Sequence, residues 1–409
     1  MRRLFLFVLV CGAACFCMLA ASCGDDDPVS SGGATPTFTR QLDFGEYDTY
    51  YSVSRARDGA ILVGGQADLL EIDSSGATPD TTENPQAILI KYTSDGDTLW
   101  SAMWGMTDWS ESVVAIEPTD IGLLTSSQKT SMLGPGSNVL FQQVFSDGSV
   151  GWDAEVDFSQ FDYAPDITAT SDGNYVAVGF GISMGGYGEM GIVKLDPSGS
   201  VVWQKEILYL DTTTTATNVL ELPDSTLLVA GTFESSANHD RNLYLRRMRA
   251  DGDSLFAAMI PMSGLNKVHD FQVTDDGFRL LGDGSDGIRY GTFIINTDTA
   301  GVMLTAQYWF RDVPFGISDG RFTSDGGAVL CGYYNKSGYE DGGLLIKLDA
   351  AGELEWEREF DELQTTIRFY AVMDYSGGYV VVGDIKPLLE DNQDMLLIRT
   401  DSRGMVTEN

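Results

Sequence analysis

A unit of about 50 residues recurs along the chain, and this period limits the possible folds more than any other feature of the sequence. In its clearest copy the turn Ser324-Asp325-Gly326-Gly327 leads into the apolar run Ala328-Val329-Leu330-Cys331-Gly332. A polar loop follows, then the run Gly343-Leu344-Leu345-Ile346-Lys347-Leu348, a second turn Asp349-Ala350-Ala351-Gly352, and a third segment ending near Trp356. Seven copies align on their turns. The first turn carries Asp58, Asp120, Asp172, Asp224, Asp276, Asp325 and Gly377, and the second carries Gly96, Gly148, Gly199, Gly252, Gly301, Gly352 and Gly404. Asp-Gly between apolar runs is tight-hairpin chemistry, because glycine accepts positive φ.

After the second turn an anchor residue recurs as Trp100, Trp152, Trp203, Phe256, Leu304 and Trp356, with Val406 a weak seventh; the spacings of the first six are 52, 51, 53, 48 and 52. A period near 50 with four short strands per unit predicts a β-propeller. One blade cannot bury both of its faces, so blades must stack, and the anchor is expected to fill the seam between neighbours. The second unit is degenerate, with Ser126 where other units have glycine. The segment Thr37-Phe38-Thr39-Arg40-Gln41-Leu42 resembles a fourth strand without its own blade, and the seventh unit lacks a full fourth strand. The expected fold is all-β: seven four-stranded antiparallel blades, closed by the N-terminal strand completing the last blade and so removing free edges.

Ahead of the repeats, Arg2 and Arg3 precede an apolar stretch over residues 4–21, and Ala20-Ala21-Ser22 precede Cys23. This is a secretory signal pattern. It resembles the lipobox of bacterial lipoproteins, with Leu19 four residues before the cysteine instead of three, and that resemblance implies lipidation at Cys23. The run Gly24-Asp25-Asp26-Asp27 is similar to the surface-export signal of some Bacteroidetes-type lipoproteins. The organisation read here is a signal peptide over residues 1–22, a flexible acidic and Ser/Gly-rich tether over 23–37, and one propeller over 38–409. The expected address is the bacterial cell envelope, on the outer membrane, facing the periplasm or the outside. Cys11, Cys15 and Cys17 lie in the leader, and Cys331 in an apolar run, so neither a disulfide framework nor metal-type cysteine spacing is present.

The formal charge is −35. Such a surface repels phosphate backbones, which argues against nucleic acid as partner. The repeats resemble those of bacterial β-propeller lipoproteins. The Asp-x-x-Gly-x-x-x-Trp pattern at 196–203 and 349–356 is similar to the tryptophan-docking repeat of quinoprotein-type propellers, whose cofactor site has no counterpart in this sequence, so no cofactor is expected.

In a propeller, the connections between strands two and three share one face with the connections between blades. Here these are the long and varied ones, 68–86 being the longest, while the turns of the opposite face are tight. Long loops on a rigid scaffold carry binding. In and beside them stand Trp109, Tyr163, His269, Phe315, Arg368 and Tyr370, which are the candidate ligand-binding residues. No catalytic motif and no metal-binding spacing stands out, and hairpin chemistry accounts for the Asp-rich turns. The function expected is a non-catalytic binding or scaffold propeller with a monomeric body, tethered to the membrane by the lipid at Cys23 and engaging an envelope protein or a glycan. The propeller lipoprotein of the barrel-assembly machinery is similar in address and class. The alternative is a glycan-active or other hydrolytic enzyme with its site at the central channel.

Overall fold

The structure is a computed structural model, and it describes residues 36–407 apart from 46, 69–84, 107, 134–135, 159–161, 183–187, 208–211, 236–239, 286–287, 313, 338–339 and 391. The leader, Cys23, most of the tether and most of the 68–86 connection lie outside the described residues. Residues 35–409 make one compact unit.

Seven antiparallel four-stranded sheets follow one another along the chain. Blades 1 to 6 span 49–104, 109–156, 163–207, 212–260, 263–310 and 315–360. Blade 7 takes three strands from 365–401, and its fourth is the N-terminal strand Phe38–Leu42, which pairs with Asp394–Asp401. The expected closure is therefore present. A hydrophobic cluster lies at each seam between blades, for example Val63 and Ile88 of blade 1 with Val380 and Leu397 of blade 7. The thinnest lies between blades 1 and 2, with only Leu62, Leu89, Leu123 and Val144 buried. The cause is compositional, because blade 2 places Thr125 and Ser127 on the side of its second strand that carries Leu123 into this seam.

The tryptophan anchors act across the seams. Trp100, Trp152 and Trp203 each donate their indole N–H to a carbonyl in the second turn of the next blade: Ser146 at 2.9 Å, Pro197 at 2.9 Å and Ala250 at 3.0 Å. The turn glycine of that blade lies against the indole, as Gly404 does against Trp356. Phe38 plays the same part for blade 7, its ring lying against Gly96 of blade 1. The true seventh anchor is thus Phe38 of the closing strand and not Val406.

Two expectations need correction at single positions. Leu304 is 58 % exposed and fills no seam. Register explains it: Trp203 opposes Lys194 and Trp356 opposes Lys347, and the equivalent residue of blade 5 is Thr305, opposite Asn296. A shift of one residue turns a side chain to the other face. Similarly, the residue of blade 2 in the glycine column is Ser127, opposite Val113; Ser126 opposes Ala115 and donates to the Ala164 carbonyl at 2.6 Å.

Candidate binding surfaces: the central channel and the long-connection face

Every blade turns its first strand toward the central axis, and in every blade that strand is bulged against the second. A bulge leaves residues unpaired and re-aims them. The partner opposite the bulge is glycine in six blades, because the two backbones approach closely there. A Cβ on Gly65 would lie 1.9 Å from the Thr49 carbonyl oxygen, and one on Gly383 would lie 1.9 Å from that of Arg368. The residues released by the bulges, among them Tyr51, Thr217, His269, Ser318 and Tyr370, all line one cavity of about 160 Å³ on the axis.

The residue after the bulge reaches across to the next blade. Asp166 accepts from the Val219 N–H at 2.8 Å and from the Ile167 N–H at 3.0 Å. Asn218 donates to the His269 carbonyl at 2.8 Å. Asp270 accepts from Phe322 N–H at 2.8 Å and Phe271 N–H at 2.9 Å, and Asp319 accepts from Val372 N–H at 3.1 Å. These polar staples join blades 3 through 7 around the axis. Burial pushes the Asp166 carboxyl up to about 7 against the opposing pull of the Val219 N–H and Arg321. Burial also raises Asp270.

Arg321 stands among these acids. Its Nη1 donates to the His269 carbonyl at 2.9 Å and lies 3.2 Å from Asp319 Oδ1. Burial alone would lower its pKa, but the charges of Asp319, Asp270 and Asp166 more than offset that and hold the guanidinium charged.

The six residues singled out in the sequence fall into two groups. Tyr163, His269 and Tyr370 line the axial cavity. Tyr163 packs on Phe180 with centroids 5.7 Å apart, and burial raises its hydroxyl to about 12. Tyr370 pairs with Tyr51 at 5.5 Å and hydrogen-bonds Asp384, whose carboxyl burial pushes up to about 7. His269 lies inside the strand Ser263–Thr274, with its side chain 1 % exposed and its Nε2 2.5 Å from Asp283 Oδ1. Burial and then the nearby Lys267 lower its pKa, against the opposing pull of Asp283.

Trp109, Phe315 and Arg368 are not brought into the cavity. Lys129 Nζ sits 4.5 Å from the Trp109 ring centroid. Phe315 packs its ring against Tyr290 and Trp309. Arg368 grips Asp341 Oδ2 through Nε at 2.8 Å and Nη2 at 2.5 Å. The sequence reading missed Arg321, Asp166, Asp270, Asp319 and Tyr51. Aligning the inner strands on their bulges, instead of the blades on their turns, would have exposed the column Asp166, Asn218, Asp270 and Asp319.

On the face of the long connections, four aliphatic side chains stand almost clear of the body. Leu133, Ile288, Leu363 and Leu389 are 79 %, 91 %, 92 % and 88 % exposed, the highest values among large apolar side chains of the described residues. Leu133, Ile288 and Leu389 lie between strands two and three of blades 2, 5 and 7, and Leu363 lies between blades 6 and 7.

No protein-family model matches the chain, and no curated protein matches it in sequence. Solved structures do resemble it. The acylaminoacyl peptidase of Pyrococcus horikoshii is 12% identical over 84% of this chain and 51% of that one, with a TM-score of 0.45. The β-propeller domain of the Trilobed protease from Pyrococcus furiosus is 10% identical over 88% of this chain and 96% of that one, with a TM-score of 0.49. Drosophila Semaphorin 2a is 7% identical over 90% of this chain and 76% of that one, with a TM-score of 0.48. The chain spans about half the length of the first peptidase and of a matching prolyl endopeptidase. At such identities the likeness concerns the fold alone.

Proposed function

We propose that this is a non-catalytic binding propeller that holds a partner protein on its long-connection face. The observation that carries the reading is the position of the four most exposed aliphatic tips, Leu133, Ile288, Leu363 and Leu389, on one face and on connections of different blades. Covering one such side chain contributes about 1.5–3 kcal/mol. Their aliphatic character favours a protein over a glycan, since sugar recognition wants aromatic faces, and Trp109 and Phe315 are already packed by their neighbours. The axial groups support binding over hydrolysis. Asp166 and Asp270 each accept backbone N–H bonds on both oxygens, and the His269 side chain is buried. In the same proposal the body is held to a bacterial envelope membrane by lipid on Cys23, for which the pattern of residues 1–23 is the support.

The full chain, a Cys23→Ser variant and a variant carrying L133S, I288S, L363S and L389S together are expressed in a bacterial host, fractionated and cross-linked. The expected result is that the full chain partitions with membranes and captures a defined envelope protein. Cys23→Ser should move to the soluble fraction and keep the partner, and the fourfold variant should stay on the membrane and lose it. Partner capture unchanged in the fourfold variant would reject the face assigned here. Membrane association unchanged by Cys23→Ser would reject the anchor.

A further inference from the structure

The axial cavity contains a feature that neither the staples nor the exposed face uses. The Arg321 side chain is 42 % exposed although it lies within the ring of inner strands, so its exposed surface faces the cavity. All of its hydrogen bonds within the described residues leave from Nη1, to the carbonyls of His269 and Gly320, and its ion pair with Asp319 also uses Nη1. The opposite edge, formed by Nε–H and one Nη2–H, has no protein acceptor among the described residues. Those two parallel donors are the edge that a carboxylate engages with both oxygens.

The surroundings suit such a guest. Lys267, from blade 5, donates to the Ser318 carbonyl at 3.1 Å and supplies a second cation to the same cavity. Asp166 and Asp270 are held on backbone N–H groups and burial raises both carboxyls, which lessens the repulsion an anion would meet from them, while Asp319 sits on the Nη1 side of the guanidinium. Tyr51, Tyr163 and Tyr370 also line the cavity, and with the Tyr370 hydroxyl engaged by Asp384 the donors offered to a guest are those of Tyr51 and Tyr163. A volume of about 160 Å³ equals the liquid-state share of roughly five water molecules, enough for a guest of a few heavy atoms and too small for a folded segment.

We infer that the axial cavity is a binding site for a small free carboxylic acid, clamped by the Nε/Nη2 edge of Arg321, with Lys267 and the channel tyrosines completing the contacts. This site is separate from the long-connection face and does not depend on the partner proposed for it.

The test uses the Cys23→Ser chain at pH 6 with four probes: acetate, lactate, succinate, and acetamide as a neutral control of acetate's shape. Binding is followed by calorimetry and by NMR of ring-labelled tyrosine. At least one carboxylate should saturate and move the signals of Tyr51, Tyr163 or Tyr370, while acetamide leaves them in place. Arg321→Lys keeps the charge but removes the two-donor edge, and should weaken the binding at least ten-fold. Lys267→Met should weaken it less. Absence of saturation by all three acids overturns the inference. So does binding that leaves the tyrosines unmoved, or binding equal for acetamide, and these two outcomes are read on the unmodified chain if Arg321→Lys fails to fold. Unchanged affinity in a folded Arg321→Lys also overturns it.

Discussion

Asp166 shows how one residue can serve architecture at an electrostatic cost. Its Oδ2 ties the inner strand of blade 3 to that of blade 4 by accepting from the Val219 N–H, yet burial raises its carboxyl from 3.8 to about 7. A folded-state pKa above the unfolded one means that the folded chain binds the proton more tightly. The contribution of this group to stability is therefore fully present below about pH 4, and it is lost as pH rises through about 7. With partial solvent screening the span is on the order of 2 kcal/mol. Asp384, raised to about 7, and Asp48, raised to about 6, act in the same direction. We expect Asp166→Asn to flatten the fall of unfolding free energy between pH 4 and 7 in urea titrations. An unchanged slope would mean that Asp166 titrates as it does in the unfolded chain. Residue-level features of this kind were the least legible in the sequence. Asp166 and Arg321 sit in inner strands that read as ordinary apolar segments, and their meaning comes from residues about fifty positions away on the next blade. His269 was legible as a rare residue, but its burial against Asp283 was not.

At the scale of the element, the seam is a joint between a strand of one blade and a turn of the next. Gly252 holds φ +86° in the second turn of blade 4, where a Cβ would lie 2.8 Å from Lys205 Cε and 3.2 Å from the Trp203 indole. Alanine there combines a strained left-handed backbone with crowding of the docked ring, so Gly252→Ala should cost about 1–3 kcal/mol. Leu304→Ser should change stability by less than about 0.5 kcal/mol, because that side chain faces solvent. Paired denaturation midpoints of the two variants test the register argument, and a large loss for Leu304→Ser would contradict it. The elements were largely legible because the hairpins announce themselves locally through turns carrying Asp or Gly and a following apolar run. The anchor of blade 5 was not, since turn alignment fixes position only to within one residue and a strand reverses its faces at every residue.

For the whole molecule, the ring is held shut by seven short seams, and the last is made by residues from opposite ends of the chain. Phe38 docks on Gly96, Arg40 Nε donates to the Gly96 carbonyl at 3.0 Å, and Thr37 and Thr407 bond each other. The closing strand was legible because its sequence matches the fourth strands of other blades, which a linear reading can detect without any structure. What closure does for stability follows from topology. Releasing the N-terminal strand exposes an edge of blade 7 and removes Phe38 from the seam with blade 1, whereas the other six blades each consist of four strands consecutive in the chain. Phe38→Ala should therefore cost about 3–5 kcal/mol as a core truncation. The loss should also be uneven around the ring. In hydrogen exchange, amides of Asp394–Asp401 and of the blade 1 strand Gln86–Tyr92 should lose protection first, while the blade 4 strand Arg241–Met248, on the far side, keeps it. Uniform loss of protection in all seven blades would instead show that the ring opens only by unfolding as one cooperative unit, with no weak seam at its closure.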